Sequence, residues 1–167
     1  MFLILKKVHN KHLRALYEHA LELQKLLETY DFIPPPIESG SAYYFTTDSG
    51  IQYEVRFGRK QNNVLNTSIV FGVLNEEFDG EEYSMTKKFE VYKVMSTIVK
   101  IVQRYIQTHP KTNCYEFTGE PTEKEIDNEG RIRLKLYNRY LPYIFDNNWE
   151  IRKEYNKTIV SKINTNT

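Results

Sequence analysis

Few side chains in this sequence have the types and spacings to do chemistry together. The densest set is acidic: Glu76, Glu77, Asp79, Glu81 and Glu82 crowd one short stretch broken by Gly80. Such a cluster could hold a cation, but a calcium loop needs alternating acids, a central glycine and a terminal glutamate. That spacing is missing, and the stretch reads as a solvated acidic turn. Just beyond it Lys87 and Lys88 could contact a phosphate. His9, His12 and His19 invite a metal, yet on a helix His12 and His19 stand two turns, ~10 Å, apart. That is too far to chelate one ion, so no metal site is expected. Cys114 is the sole cysteine. It excludes an internal disulfide and any multi-cysteine metal site. Lying in a predicted core strand, it reads as an inert buried thiol. No Ser-His-Asp order, Walker loop, dinucleotide fingerprint or zinc pattern can be assembled.

The elements that must position these residues follow from periodicity. Leu13, Leu16, Tyr17, Ala20, Leu23, Leu27 and Tyr30 return on one helical face, predicting a helix over 12–30. Pro34, Pro35 and Pro36 then force an extended connection, so 31–41 is expected as a stiff loop. Residues 42–47 and 51–59 read as a hairpin about Asp48-Ser49-Gly50, with Tyr53, Val55 and Phe57 alternating against Gln52, Glu54 and Arg56. The strand over 64–74 is apolar on both faces at Ile69 to Leu74, which predicts cover on both sides. Gly72 inside it is expected to mark a bulge or a close backbone approach. Val91, Val94, Met95, Ile98, Val102, Tyr105 and Ile106 predict a helix over 90–108, stopped by His109-Pro110. A strand over 114–118 and a helix over 131–145 follow. Trp149, Ile151, Lys153 and Tyr155 alternate as a strand, and 158–163 is expected as a last short edge strand.

Chain-wide quantities bound the rest. A chain of 167 residues is expected to form one domain over 1–167, with a core over 42–155 and a short C-terminal strand or tail over 156–167. Hydrophobic content of 40% with 27% charged residues fits a soluble globular protein. Thirteen tyrosines raise the aromatic share to 14%, which implies many half-buried positions or rings at a partner surface. A formal charge of +1 supplies no long-range field, which argues against nucleic acid as a partner despite the basic end at Lys6, Lys7, Lys11 and Arg14. Met1 to Leu5 is too short for a signal-peptide core and its charges lie on the wrong side. No run approaches the ~20 apolar residues of a membrane span. No membrane partner is expected, and the chain reads as cytosolic.

The strand–helix–strand succession from Val70 to Thr118 favours parallel pairing and a right-handed crossover behind an antiparallel front. The expected fold class is therefore α+β, a mixed, mostly antiparallel sheet with helices on both faces.

Over roughly 42–155 this order resembles the GCN5-related N-acetyltransferase fold. The stretch that carries the resemblance is Arg133-Leu134-Lys135-Leu136-Tyr137-Asn138-Arg139-Tyr140, followed by Trp149 to Arg152. The resemblance implies acetyl-CoA as cofactor, Tyr137 as the acid that protonates the departing thiolate, and Lys87 and Lys88 against the cofactor phosphates. A carboxylate, Glu76 or Glu77 at the end of the apolar strand, would serve as base. The family's pyrophosphate loop uses glycines so that backbone N–H groups can approach phosphate. The matching stretch here, Tyr83 to Val91, holds none, and Glu90 adds a negative charge at the helix start. The pattern Phe89 to Val99 with the Arg133 to Tyr137 helix is also similar to small tailed-bacteriophage proteins. These readings together imply a non-catalytic phage protein, in the host cytoplasm or the virion. It would use an acetyltransferase-like scaffold, without cofactor, to contact a viral or host protein. An acyl-CoA-dependent N-acyltransferase with an atypical cofactor loop is the alternative.

Overall fold

The computed structural model describes residues 28–37, 41–74, 88–118 and 127–163, with backbone alone for residues 88, 89 and 127–133. The expected helix over 12–30 falls, up to residue 27, outside the described residues, as does the acidic stretch.

Alternation builds the front of the sheet as expected. Strand β2 (Ala42–Thr46) pairs antiparallel with β3 (Gln52–Lys60), Tyr43 facing Val55 and Phe45 facing Tyr53. Gly50 sits at φ +86°, the left-handed conformation that a side chain would strain. The turn closes through Thr47 N–H to the Ile51 carbonyl at 2.9 Å. Strand β4 (Asn63–Val73) pairs antiparallel with β3 on its other side. One strand was not expected: Phe32–Ile33 (β1) pairs with β2 ahead of the prolines, where sequence indicated only loop.

Helix α1 (Lys88–Thr108), strand β5 (Cys114–Thr118), helix α2 (Asp127–Ile144), strand β6 (Trp149–Lys153) and strand β7 (Lys157–Lys162) complete one seven-stranded sheet. Its order is β1-β2-β3-β4-β5-β7-β6. β4 and β5 are parallel, as the crossover predicted. β5 and β6 each run antiparallel to β7 between them, so they are parallel to one another. Both crossovers, through α1 and through α2, therefore step across the sheet in the same direction. Right-handed connections stepping the same way place their helices on the same face. Ring contacts put them there: Tyr105 of α1 stacks on Phe57 at 3.8 Å between ring centres, and Tyr137 of α2 lies 4.5 Å from Phe71. The fold is α+β, with a mixed, mostly antiparallel sheet.

That geometry corrects the reading of the apolar strand. Ile69 and Phe71 are buried beneath the helices, but Val70 is 52% exposed and Leu74 45% exposed on the opposite side. The strand is covered on one face where cover on both was expected. Gly72 pairs regularly with Glu54, and the register shift falls at Arg59/Lys60. The close approach belongs to Gly58, where an added Cβ would lie 2.8 Å from Ser68 Oγ. β7 is an inner strand, inserted between β5 and β6, and β6 is the edge. Tyr155 lies past the end of β6 and is exposed. Cys114 is half-buried, with the Ser161 hydroxyl 3.6 Å from its sulfur.

The helix-covered face is dominated by aromatic rings. Tyr43, Phe45, Tyr53, Phe57, Phe71, Tyr115 and Phe117 all point into it. Each such ring removes roughly 150–250 Å² from water, so this layer supplies most of the folding drive. α1 is buried on more than its apolar stripe: Ser96 and Thr97 are also enclosed. Their hydroxyls donate back to the Tyr92 and Lys93 carbonyls, which satisfies them inside the helix.

Candidate functional site

The parallel pair β4 and β5 carries the first candidate. Their pairing runs only from Asn66 opposite Cys114 to Ile69 opposite Phe117. Beyond it β4 continues to Val73 with β3 as its partner, while Thr118 of β5 pairs with Lys157 of β7. The two strands part company there. On the helix face the Tyr137 ring fills the fork, 4.5 Å from Phe71 and 6.4 Å from Phe117, and the residue is 5% exposed. Tyr137 thus packs against Phe71 of β4 and Phe117 of β5. Glu76, Glu77 and Lys87 lie outside the described residues, and Lys88 is the first residue of α1 with backbone alone described. The first turn of α1 is occupied by its own carboxylate. Glu90 accepts hydrogen bonds from Ser49 N–H at 3.0 Å and Ser49 Oγ at 2.8 Å. A carboxylate at a helix N-terminus satisfies the positive end of the dipole, and here it also ties the β2–β3 turn to α1.

The second candidate lies beside that tie. A cavity of about 540 Å³ opens between residues 29–33, the β2–β3 hairpin, the end of β4 and α1. Lys93 stands at its base, with its ammonium 3.2 Å from Asp48 Oδ2 and 4.2 Å above the Tyr30 ring. Tyr30 is fixed from three sides: its N–H donates to Thr97 Oγ1 at 2.9 Å, its ring stacks on Phe45, and Lys93 covers it. The Tyr30 hydroxyl is buried beside Asp48 yet makes no hydrogen bond of good geometry. Burial, with the carboxylates of Asp48 and Glu90 nearby, pushes its pKa up to about 12. The rim is open and mixed: Ile33 is 69% exposed, Leu74 45% and Tyr44 38%, beside exposed Asp31, Thr46 and Gln52.

This arrangement binds better than it reacts. A phenol that stays neutral to about pH 12 can donate a hydrogen bond but cannot act as a base at neutral pH. Lys93 is held between a carboxylate and a ring face, a placement suited to binding. Among the described residues no group of three or more His, Cys, Asp or Glu side chains is placed to hold a metal ion. No helix among them is long and apolar enough to cross a membrane.

Reading the sequence missed this cleft. In the linear pattern Tyr30 belongs to a helix stripe, Asp48 to a turn, and Lys93 to no motif. They meet through contacts between distant parts of the chain, as in the Tyr30–Thr97 hydrogen bond. The available signal was Lys93 one turn after Glu90, which places both on the α1 face that meets the hairpin turn. Comparison with known proteins adds no relative: no family model, no curated protein and no solved structure matches this sequence.

Proposed function

We propose that this protein is a non-catalytic protein-contact domain built on an acetyltransferase-like scaffold. The observation that carries this reading is the open cleft rimmed by Ile33, Tyr44 and Leu74 over Tyr30 and Lys93. Apolar side chains grouped about a polar anchor are the composition of a protein-binding surface. The succession β4–α1–β5–α2–β6 has the element order that the resemblance implies, which supports the scaffold half of the reading. Tyr137, packed in the fork between β4 and β5, supports the absence of a cofactor there. The phage setting, with a viral or host protein as partner in the host cytoplasm or virion, rests on the sequence resemblance alone.

A second reading has one observation in its favour. Tyr137 stands where β4 and β5 diverge, and an acyl-CoA-dependent N-acyltransferase would want its thiolate acid at such a fork.

The contact reading is tested by partner capture with wild type, Leu74→Asp and Ile151→Asp. Both substituted positions are exposed, and Ile151 lies on β6, the far edge of the sheet. A partner identified with wild type should be lost with Leu74→Asp and kept with Ile151→Asp. A partner that both variants keep would put the contact elsewhere.

A further inference from the structure

At the opposite end of the parallel strands from the Tyr137 fork lies a second, smaller cavity of about 360 Å³. Its walls are the strand ends beside the β3–β4 turn, through Arg59, Val64 and Leu65, and the segment from α1 to β5, through Thr108, His109, Pro110, Lys111 and Thr112. The two walls are tied by Asn113 N–H to the Leu65 carbonyl at 3.0 Å. Val64, Leu65 and Pro110 make an apolar floor.

We propose that this cavity is a binding site for an organic carboxylate with an apolar or aromatic body, its head held by Arg59 and Lys111. Three observations carry it. First, the cavity has two cations and no lining carboxylate. Neither Arg59 nor Lys111 makes an ion pair with any described residue. Elsewhere the described cations are commonly engaged: Lys60 and Lys157 with Glu116, Arg56 with Glu54, Lys93 with Asp48. Second, neither cation hydrogen-bonds a carbonyl at the C-terminal end of α1. The Tyr105 carbonyl accepts from His109 N–H, the Arg104 carbonyl from the Thr108 hydroxyl, and the His109 carbonyl from Thr112 N–H. The two cations are therefore not consumed as helix caps. Third, His109 is fixed as a wall. Its ring stacks on Tyr105 at 3.8 Å, and its Nδ1 lies 3.0 Å from the Tyr105 carbonyl. An arginine fork with a lysine point charge suits a carboxylate head, and the floor requires an apolar body behind it.

The test is amide chemical-shift titration of the full-length protein with 3-phenylpropionate, its neutral amide and inorganic phosphate. The proposal expects 3-phenylpropionate to shift the amides of Leu65, Thr108, His109 and 111–113 saturably, and the other two probes to leave them in place. Arg59→Gln and Lys111→Gln should each weaken the acid by about fivefold or more, the loss of one charged hydrogen-bond partner. Arg56→Gln, on the same strand but the other face, should leave it unchanged. A peptide ending in phenylalanine that shifts the same amides would name a polypeptide's C-terminal carboxylate as the source; its failure beside a binding acid would name a free acid. Equal binding of acid and amide, an effect of phosphate as large as that of the acid, or no loss with either variant would overturn the proposal. The amide spectrum itself reports whether each variant is folded.

Discussion

The two faces of the sheet use the same strands and residue types to opposite ends. Under α1 and α2 the rings stack in series: Phe45 on Tyr53 at 5.1 Å, Phe57 on Tyr105 at 3.8 Å, Tyr105 on His109 at 3.8 Å. On the other face side chains interact through charge. Tyr44 and Arg56 both donate to Glu54, and Lys60, Glu116, Lys157, Glu154 and Arg152 form a series of ion pairs. One residue along a strand separates Phe71 in the core from Val70 in water. The stability of this protein thus resides on the helix side, and the proposed contact surface lies on the rims that the helices leave open.

The sharpest way to break this contrast is to truncate one side chain on each face. Tyr105→Ala removes the centre of a three-ring stack and should cost about 3–5 kcal/mol in a denaturant titration. Val70→Ala, on the other face, should cost under ~1 kcal/mol. Similar losses at the two sites would erase the distinction. Thr97→Val comes next: it strips the buried Tyr30 N–H of its acceptor and should cost about 1–3 kcal/mol. Gly50→Ala forces a side chain into positive φ and should cost about 1–2 kcal/mol, although nothing lies close enough to clash.

The alkaline limb sharpens the same contrast by a smaller amount. The Tyr30 phenol has its pKa raised from 10.0 to about 12, mainly by burial. Its contribution is complete below pH 10, where the phenol is neutral folded or unfolded, and is lost as pH rises from 10 toward 12. Tyr30→Phe should make that part of the stability profile less steep, the remaining slope coming from buried Tyr43 and Tyr115, whose pKa values are raised as well. Because the hydroxyl is buried without a hydrogen bond, the variant should be no less stable than wild type at pH 7. Smallest of all is Arg152→Ala on the edge strand, expected within ~0.5 kcal/mol because its partner Glu154 is itself well exposed.

What was legible in the sequence was local. The alternation of Tyr53, Val55 and Phe57, the glycine turn at Gly50 and the helical stripe of Val94, Ile98, Val102 and Tyr105 each appear as expected. The parallel pairing of β4 and β5 was also legible, because a helix between two strands leaves few other choices. Strand order further on was not. Thr158 and Val160 would alternate identically at an edge or inside, so nothing in their pattern told that β7 slips between β5 and β6. The double apolar pattern of Ile69 to Leu74 misled for a related reason. An exposed Val70 and Leu74 at a rim look, in sequence, like a second buried face. Of the candidate site, Tyr137 could be picked out from its helix stripe. The Tyr30–Asp48–Lys93 cleft could not, since it exists only once the hairpin turn has docked on α1.

In the proposed function, Tyr137 fills the fork between β4 and β5 and the body acts through its surface. Calorimetric titration with acetyl-CoA tests this most directly. The account predicts no heat of binding up to millimolar ligand. Micromolar binding that weakens when Lys87 and Lys88 are replaced would contradict it and make the protein an acyltransferase candidate instead.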